Sequence, residues 1–541
     1  MKASKAIIKC LEKENVHTIF GYPGGAVLPL YEALRESKMR HILVRNEQSL
    51  VHYASGFARG SGEVGVCIAT SGPGATNTIT GIATAYLDSI PVVIITGQVD
   101  TELLGTDAFQ EADIKGATEP FTKHNYIIRD AEDIPRVFQE AFYLANSGRK
   151  GPVLIDIPRN VQEQKIKLYT DEKLHIIGYN PTLTGHKGQI RRAVTKIKNV
   201  QRPVIYAGGG IISAKAEKEL LTFALQTNIP VINSLMGIGS FPHDTHLYGG
   251  IVGSHGYEYS NKIIEKADLL ICIGARMSNR ATGTFEQLNP NLEYINIDID
   301  PAEIGKNIDT NLPIVGDAKL IIQELTAKNI EINTSSWIEE IQFIRQQYPV
   351  SYDMQPGCQF INPKELITTL SDRLNEKACL VADVGQNQIW AALYYKITGE
   401  RNYFTSGGLG TMAYSLPAAA GVKCADPSRQ VVCIMGDGSF QMCLGELAVI
   451  REQNIGIKIF LFNNNRLGMV KGLQIDSYGK NHNFGVELKC SIDYIKIAEA
   501  YGIQSYKVED IHSFKQVLHE VFNDDQPCLI QCIIDSEYIT F

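Results

Sequence analysis

Tryptophan, paired cysteines and long apolar runs are all scarce in this chain of 541 residues. The 11 cysteines include no CxxC pair, and Cys272, Cys433 and Cys532 lie inside apolar strand-like runs. That distribution is typical of small buried side chains in a reducing compartment, and it disfavours a disulfide framework or a cysteine metal site. We therefore expect a cytoplasmic protein whose chemistry does not depend on its cysteines.

A membrane span and a nucleic-acid footprint are also missing from the sequence. The apolar run at 91–96 (PVVIIT) is far too short to cross a bilayer. The formal charge of -8 is spread along the chain without a block of lysine and arginine, so nucleic acid is not an expected partner. Near the start, Ala6, Ile7, Cys10 and Leu11 recur at helical spacing, which predicts the first helix of a domain rather than a signal peptide.

The commonest pattern is a short β-branched run, then a Gly, Asp or Pro break, then a helical stretch. Strands that are apolar throughout and alternate with helices predict parallel sheets covered on both faces. The expected fold class is therefore α/β, with doubly wound parallel sheets. The runs lie at 64–74, 91–98, 151–158, 202–210, 267–276, 293–300, 378–386, 430–438 and 457–465.

Two polar, weakly periodic stretches interrupt this series, at 161–190 and 330–363. Linkers are expected where few contacts cross and where Pro, Gly and polar residues are frequent. A chain of this length has room for roughly three to four domains of ordinary size. We predict three domains, at 1–165, 185–335 and 360–541.

Two successive apolar runs end in small polar residues, the first in GDGS (436–439) and the second in NNN (463–465). Ligands bind beyond the carboxyl ends of parallel strands, so Asp437 and Asn464 are expected at one sheet edge. With the backbone carbonyl of Arg466 they would supply the oxygen ligands that Mg²⁺ prefers beside a phosphate. The glycines of GDGS and a following helix, predicted near 440–453, would favour that phosphate.

Longer motifs along the chain, together with this predicted site, resemble those of a known enzyme family. In chain order they are FGYPGGAVLPLYEAL, RNEQ, SGPGATNTITGIATAYLDSIPVVIITGQ, GTDAFQEAD, KGPVLIDIP, GGLGTMAYSLPAA, GDGSF and NNNRLGMV. The series resembles the catalytic subunits of acetohydroxyacid synthases, or acetolactate synthases, which are thiamine-diphosphate enzymes. The resemblance implies that 1–165 binds the pyrimidine of the cofactor, that 185–335 is a flavin-type domain, and that 360–541 binds the diphosphate with Mg²⁺.

By resemblance, Glu47 in RNEQ hydrogen-bonds N1′ of the cofactor's pyrimidine and promotes loss of the thiazolium C2 proton, in a pocket closed to water. Met412 is the bulky residue that keeps the cofactor bent. The cofactor is expected between the first and third domains of different chains, which implies a homodimer or homotetramer. The remaining expected cofactor-binding residues are Tyr22, Pro23, Gly24, Pro73, Asn77, Val384, Gly385, Gln386, Asn387, Gly410, Gly436, Asp437, Gly438, Ser439, Asn464, Arg466, Gly468, Met469 and Val470.

The implied reaction decarboxylates pyruvate and joins the remaining two-carbon unit to a second 2-oxoacid, giving 2-acetolactate when that acceptor is pyruvate. Gly25, Phe109 and Gln110 match residues at the reaction centre, with the Gly25 N–H and the Gln110 amide as donors to a developing oxyanion. Arg276 matches the arginine that binds the acceptor's carboxylate, and a structural ion pair is its alternative role. A small regulatory subunit is a further partner that the resemblance allows.

The resemblance also implies structural FAD in the middle domain. The residues expected to bind it are Gly208, Gly209, Gly210, Ser254, His255, Gly274, Arg276, Arg280, Asp298 and Asp317. One departure from the family pattern falls here, because GARFDDR reads GARMSNR and Ser278 replaces an acidic residue.

A second departure falls in the acceptor pocket, where GMVRQWQ reads GMVKGLQ and Leu473 replaces a tryptophan. That tryptophan favours 2-oxobutyrate, so Leu473 predicts a weak preference for 2-oxobutyrate or a different acceptor. Arg159, where many relatives carry lysine, is a milder change.

Three other functions are compatible with parts of the pattern. A flavin-coupled pyruvate oxidase would consume oxygen or a quinone, and a related lyase would release acetaldehyde without acetolactate. A non-catalytic nucleotide-binding protein is disfavoured because Glu47, Asp437 and Asn464 are all retained.

Overall fold

Three parallel sheets form the framework of the molecule. The computed structural model describes residues 1–167, 174–278, 280, 289–350, 360–490 and 492–537. Within these residues the strands form three six-stranded sheets, and neighbouring strands in each sheet run parallel. The predicted α/β class with parallel sheets is therefore confirmed.

The first sheet is built from residues near the N-terminus. Its strands are β1 (Thr18–Gly21), β2 (Arg40–Leu43), β3 (Gly65–Ala69), β4 (Val92–Gln98), β5 (His124–Ile127) and β6 (Val153–Pro158), in the order β2-β1-β3-β4-β6-β5. Its helices are α1 (Ala3–Lys13), α2 (Leu28–Arg35), α3 (Glu47–Ser61), α4 (Pro73–Thr76), α5 (Ile79–Leu87), α6 (Ile114–Thr118), α7 (Ile134–Asn146) and α8 (Arg159–Glu163). The central strand β4 is buried along its whole length, as expected for a parallel strand covered on both faces. Ala6, Ile7, Cys10 and Leu11 form the buried face of α1, which confirms the predicted first helix.

The second sheet has the strand order β12-β11-β10-β7-β8-β9. Its strands are β7 (Pro203–Ala207), β8 (Val231–Asn233), β9 (Tyr248–Ile251), β10 (Leu269–Ile273), β11 (Glu293–Asp298) and β12 (Leu312–Val315). Its helices are α9 (Lys187–Lys198), α10 (Gly209–Ser213), α11 (Glu217–Thr227), α12 (Glu258–Lys266), α13 (Ala318–Thr326) and α14 (Ser335–Gln347). The predicted linkers at 161–190 and 330–363 lie partly outside the described residues, and the domain limits stay a prediction.

The third sheet has the strand order β14-β13-β15-β16-β18-β17. Its strands are β13 (Cys379–Ala382), β14 (Asn402–Phe404), β15 (Val431–Gly436), β16 (Ile457–Asn463), β17 (Gln504–Val508) and β18 (Cys528–Ile533). Its helices are α15 (Pro363–Arg373), α16 (Gln386–Tyr394), α17 (Ser415–Ala425), α18 (Asp437–Cys443), α19 (Glu446–Glu452), α20 (Gly468–Tyr478), α21 (Tyr494–Ala500) and α22 (Ile511–Val521). The single helix predicted near 440–453 is wrong, because the chain breaks at Leu444 and Gly445 into α18 and α19.

The first and third sheets share one hydrophobic core. Helix α3 packs against α17, and Gly56 allows that contact because a Cβ there would lie 2.0 Å from the Ala418 carbonyl oxygen. A polar contact joins the same two parts of the chain, where the hydroxyls of Thr84 and Thr411 lie 2.7 Å apart. Within the described ranges, no helix is long and apolar enough to cross a membrane. The first and third parts of the chain are thus held together directly.

Candidate active site

The carboxyl ends of β15 and β16 bring the GDGS and NNN loops to one sheet edge. The two strands are neighbours, with Gly436 in register with Phe462. Asp437 is 1% exposed, and its carboxylate accepts hydrogen bonds from the backbone N–H groups of Gly438 at 2.9 Å and Asn465 at 2.7 Å. The loops meet as the strand-end rule predicts, while their roles as ligands stay a prediction.

Asn464 lies in contact with two other residues of the expected cofactor bed. Its side-chain N–H₂ donates to Gln386 Oε1 at 3.1 Å, and its Oδ1 accepts from the Arg466 backbone N–H at 3.1 Å. Gly468 begins α20 against the same glutamine, since a Cβ there would lie 1.7 Å from Gln386 Oε1. These contacts fix the loop between β16 and α20, and a side chain at Gly468 would have to displace the end of the Gln386 side chain.

Among the described residues, no basic side chain pairs with the Asp437 carboxylate. Burial raises the pKa of Asp437 to about 6, although the N–H groups of Asn465 and Gly438 lower it. A buried carboxylate gains stability when a cation supplies the opposite charge, so the site fits Mg²⁺. In the described residues no three His, Cys, Asp or Glu side chains cluster, so a metal here would depend on amide and backbone oxygens beside this one carboxylate.

A buried aspartate that the motif analysis missed holds the next loop in place. Asp383 is 0% exposed after β13, and it accepts from the backbone N–H groups of Ala413 at 3.0 Å and Ser415 at 2.8 Å. Burial raises the pKa of Asp383. The loop that it anchors carries Met412, whose Cε lies 3.5 Å from where a Cβ on Gly438 would stand. Like Asp437, Asp383 ends an apolar run, and the strand-end rule could have identified it.

Glu47 lies at the corresponding edge of the first sheet. It is the first residue of α3 and is half-buried, and its Oε2 accepts from the Asn77 side-chain N–H₂ at 3.1 Å. Gly74 faces the same carboxylate, since a Cβ there would lie 3.5 Å from Glu47 Oε1. The described part of the chain covers Glu47 only partly, and the expected pocket closed to water, which would form between different chains, stays a prediction.

The other residues expected at the reaction centre lie on the surface of the first domain. Phe109 is 88% exposed, and Gln110 has a φ of 59°, in the left-handed region. The exposed members of the predicted set on this surface are Tyr22, Pro23, Gly25, Pro73, Asn77, Phe109 and Gln110. None of these residues lines the cavity that Arg276 lines.

A cavity of about 1040 Å³ lies where the three parts of the chain meet. Of the predicted flavin-binding residues, all but Gly208 line it. Gly208 instead packs on Gly274, because a Cβ would lie 2.1 Å from the Gly274 carbonyl oxygen, and this close approach brings the GGG turn to the cavity wall. Ser278 also lines the cavity, whereas Asn279 of the same motif lies outside the described residues.

Three cations that line this cavity, Lys150, Lys215 and Arg280, form no ion pair with a described carboxylate. Burial and the nearby Lys215 lower the pKa of Lys150, with an opposing effect from Asp317. Nothing in the sequence marks the two lysines, since isolated lysines carry no spacing signal. Unpaired cations beside closely packed glycine backbone favour a phosphate-bearing ligand, so the cavity fits the diphosphate of FAD.

Arg276 and Leu473 line the same cavity from different parts of the chain. The Arg276 guanidinium lies beside the buried Asp88, since Arg276 Nη2 and Asp88 Oδ1 each lie 2.9 Å from where a Cβ on Gly408 would stand. Burial raises the pKa of Asp88, and Arg59 and Arg276 lower it. Both roles considered for Arg276, acceptor binding and a structural charge pair, are compatible with this position.

Family comparisons match a part of the chain in each of the three sheets. Residues 1–117 match the family described as "Thiamine pyrophosphate enzyme, N-terminal TPP binding domain". Residues 190–325 match the central domain of the same enzymes, and residues 383–532 match their "C-terminal TPP binding domain". These matches support thiamine diphosphate as the cofactor, and they include Glu47, Asp437 and Asn464.

Curated proteins resemble the chain over almost its whole length. A "Probable acetolactate synthase large subunit" of Methanococcus aeolicus is 45% identical, over 99% of this chain and 92% of the relative. A protein of the same description from Methanocaldococcus jannaschii is also 45% identical, with the same coverage of both chains. The "Acetolactate synthase large subunit" of Corynebacterium glutamicum is 44% identical, over 99% of this chain and 87% of the relative. With thiamine-binding domains at both ends and these relatives, the chain belongs to the acetolactate synthase large-subunit family of thiamine-pyrophosphate enzymes.

Proposed function

We propose that the chain decarboxylates pyruvate and joins the two-carbon unit to a second pyruvate, which gives 2-acetolactate and CO₂ for branched-chain amino acid biosynthesis. The observation that supports this proposal most directly is the buried Asp437 beside Asn464 at neighbouring strand ends, in a chain of this family. Such an arrangement suits a metal that holds a diphosphate. Thiamine diphosphate, when bound, would supply a carbanion at its deprotonated thiazolium C2 that adds to a 2-oxoacid, and its ring would hold the electrons released with CO₂.

We assign the chain's own residues as follows. Asp437, Asn464 and the Arg466 carbonyl hold Mg²⁺, and the Glu47 carboxylate exchanges a proton with the pyrimidine ring. Met412, held by the loop that Asp383 anchors, supports the bent cofactor. Arg276 is placed to bind the carboxylate of the acceptor, in the cavity that Leu473 also lines.

Further parts of the proposal concern the assembly. Because Glu47 and its neighbours lie open on the first domain, we propose that a second copy of the chain covers them, as a dimer or tetramer. The relatives are named large subunits, which supports a small regulatory subunit as a partner. We further propose structural FAD in the cavity, and the three domains at 1–165, 185–335 and 360–541.

Product identification tests the function. Purified protein is incubated with pyruvate, thiamine diphosphate and Mg²⁺, with and without FAD, and the products are identified by mass spectrometry. We expect 2-acetolactate and CO₂, with no product when thiamine diphosphate is withheld. Pyruvate-dependent consumption of oxygen or quinone would instead indicate an oxidase, and acetaldehyde without acetolactate would indicate a lyase.

Leu473→Trp is expected to raise selection for 2-oxobutyrate over pyruvate as the acceptor by about tenfold or more. Leu473 is 44% exposed and lines the cavity with Arg276, so an indole at that position would contact the extra methyl group of 2-oxobutyrate. One methylene of difference is worth about 1 to 3 kcal/mol in such a pocket. Competition between the two oxoacids, with both products quantified, measures the ratio.

Leu225→Trp is the matched control for the acceptor pocket. Leu225 is a similarly exposed leucine, at 51%, and lies on α11 outside the residues that line the cavity. Its substitution should leave the product ratio unchanged. Strong selection for 2-oxobutyrate by the unmodified protein would refute the role given to Leu473.

A further inference from the structure

The Glu446 carboxyl links a helix of the third sheet to the residues just before α3, the helix that carries Glu47. Glu446 is the first residue of α19 and is 1% exposed. Its Oε1 accepts from the backbone N–H of Arg45 at 3.2 Å, and Gly445 lies against the same residue, with a Cβ position 3.8 Å from Arg45 Cβ. Arg45 stands two residues before Glu47, so this contact reaches the turn that leads into α3.

The surroundings of Glu446 come mainly from that same helix. Ser49 and Tyr53 of α3, with the Arg45 N–H and charge, lower the pKa of Glu446, while burial raises it to about 7. The Cys443 thiol of α18 is a further titratable neighbour. A buried carboxyl needs hydrogen-bond donors, and here the Arg45 N–H just before α3 donates to Oε1, while Oε2 has no hydrogen-bond partner among the described residues. The Glu446 side chain therefore faces α3 and the residues just before it, and not solvent.

The segment that Glu446 contacts is also anchored by Val44, which is buried and donates its backbone N–H to the Gly21 carbonyl at 3.3 Å. Arg45 and Asn46 are exposed, and the Asn46 side chain caps α3 by accepting from the Gln48 N–H at 2.9 Å. Arg45 also forms an ion pair with Glu452 on the surface, Nη2 to Oε2 at 2.5 Å. An exposed pair of this kind contributes little to fixing a backbone.

We infer that Glu446 is a positioning residue that fixes the turn at Arg45–Glu47 and thereby sets the direction of the Glu47 carboxylate. The inference rests on the proposed function of Glu47. Displacing a reacting group by about 1 Å costs roughly 100-fold in rate, so a partial loosening of this turn should have a measurable effect.

Three variants separate this role from general stability. Glu446→Ala removes the acceptor of the Arg45 N–H, Glu446→Gln keeps an acceptor oxygen without a charge, and Glu452→Gln removes only the surface ion pair to the same arginine. Amide hydrogen exchange of residues 40–50 is measured in the cofactor-free protein. Hydrogen–deuterium exchange at C2 of bound thiamine diphosphate and the cofactor's affinity by equilibrium dialysis are measured in the complex.

We expect Glu446→Ala to raise amide exchange in this segment and to slow C2 exchange by about tenfold or more, with cofactor affinity unchanged. Glu446→Gln should restore most of both properties, and Glu452→Gln should match the unmodified protein. If Glu446→Ala fails to fold, Glu446→Asp takes its place, because it withdraws the carboxylate by one methylene.

The outcomes distinguish this inference from the proposed function. Absence of C2 exchange in the unmodified protein would overturn both. Normal C2 exchange in the unmodified protein and in Glu446→Ala would overturn this inference alone. A loss of cofactor affinity with an unchanged C2 rate would also overturn it, since Glu446 would then act on the diphosphate loop.

Discussion

Glu47→Gln is expected to slow exchange of the C2 proton of bound thiamine diphosphate by about 10²- to 10⁴-fold, the usual contribution of a positioned acid or base. Glutamine fills the same space at the start of α3 and can keep a contact with Asn77, but it cannot share a proton with the pyrimidine ring. Binding of the cofactor should change little, because the predicted metal ligands lie on the third sheet. Quenched-flow mixing into deuterium oxide, with NMR detection of the C2 proton, measures the rate.

Glu258→Gln is the matched control for this prediction. Glu258 is an exposed glutamate at the first position of α12, so its substitution removes the same charge from the same position of a helix. The Glu258→Gln substitution therefore reproduces any effect of a charge change at a helix N-terminus, and it leaves the candidate active site unchanged. An unchanged C2 exchange rate in Glu47→Gln would show that this carboxylate does not take part in proton transfer.

Nine of the twelve interior strands in the described sheets could be predicted because they are apolar throughout, whereas the interior strands β1, β8 and β18 lie outside the predicted runs. Each of the nine predicted runs contains a strand, and β4, which reads VVIITGQ, is an example. Edge strands escaped because their side chains are partly exposed and carry no continuous apolar signal, as in β2 (RHIL) and β17 (QSYKV). The break between α18 and α19 was also missed, since one glycine in an apolar helical pattern is compatible with an unbroken helix.

The candidate site divides in the same way. Asp437 and Asn464 could be predicted to meet because strand ends determine their location, whatever the rest of the chain does. Glu446 could not, since a glutamate after a glycine at a helix start is usually solvated, and its burial depends on residues about 400 positions earlier. The half-buried position of Glu47 in the single chain could not be predicted for a related reason, because the motif identifies the residue and not the surface that covers it.

Asp437→Ala is expected to abolish Mg²⁺-dependent binding of thiamine diphosphate. The carboxylate is the only charged group among the predicted ligands, and the amide and carbonyl oxygens that stay behind are neutral. Loss of an outer-shell partner typically costs about 10- to 100-fold in metal affinity, and loss of a direct ligand should exceed that. Equilibrium dialysis of thiamine diphosphate over a series of Mg²⁺ concentrations measures the effect.

Asp437→Asn separates loss of the ligand from loss of the fold. Alanine leaves the N–H groups of Gly438 and Asn465 without their acceptor, at about 1 to 3 kcal/mol for each buried donor. Asparagine keeps an acceptor oxygen for only one of these two N–H groups, because they donate to different oxygens of the carboxylate. Because burial raises the pKa of Asp437 to about 6, the ionised carboxylate destabilises the folded protein above that pH, and neutral asparagine removes this cost.

Without Mg²⁺ and cofactor, the Tm of Asp437→Asn at pH 7 should therefore lie close to that of the unmodified protein, because removal of the buried charge offsets the loss of one acceptor oxygen. With both added, only the unmodified protein and Asp372→Asn should gain stability, because Asp372 is an exposed carboxylate on α15 of the same sheet region. A ligand binds the folded state and raises Tm only where its site is intact. An equal gain in Tm for Asp437→Asn would show that Asp437 is not a metal ligand, because binding would then not need the charge of its carboxylate.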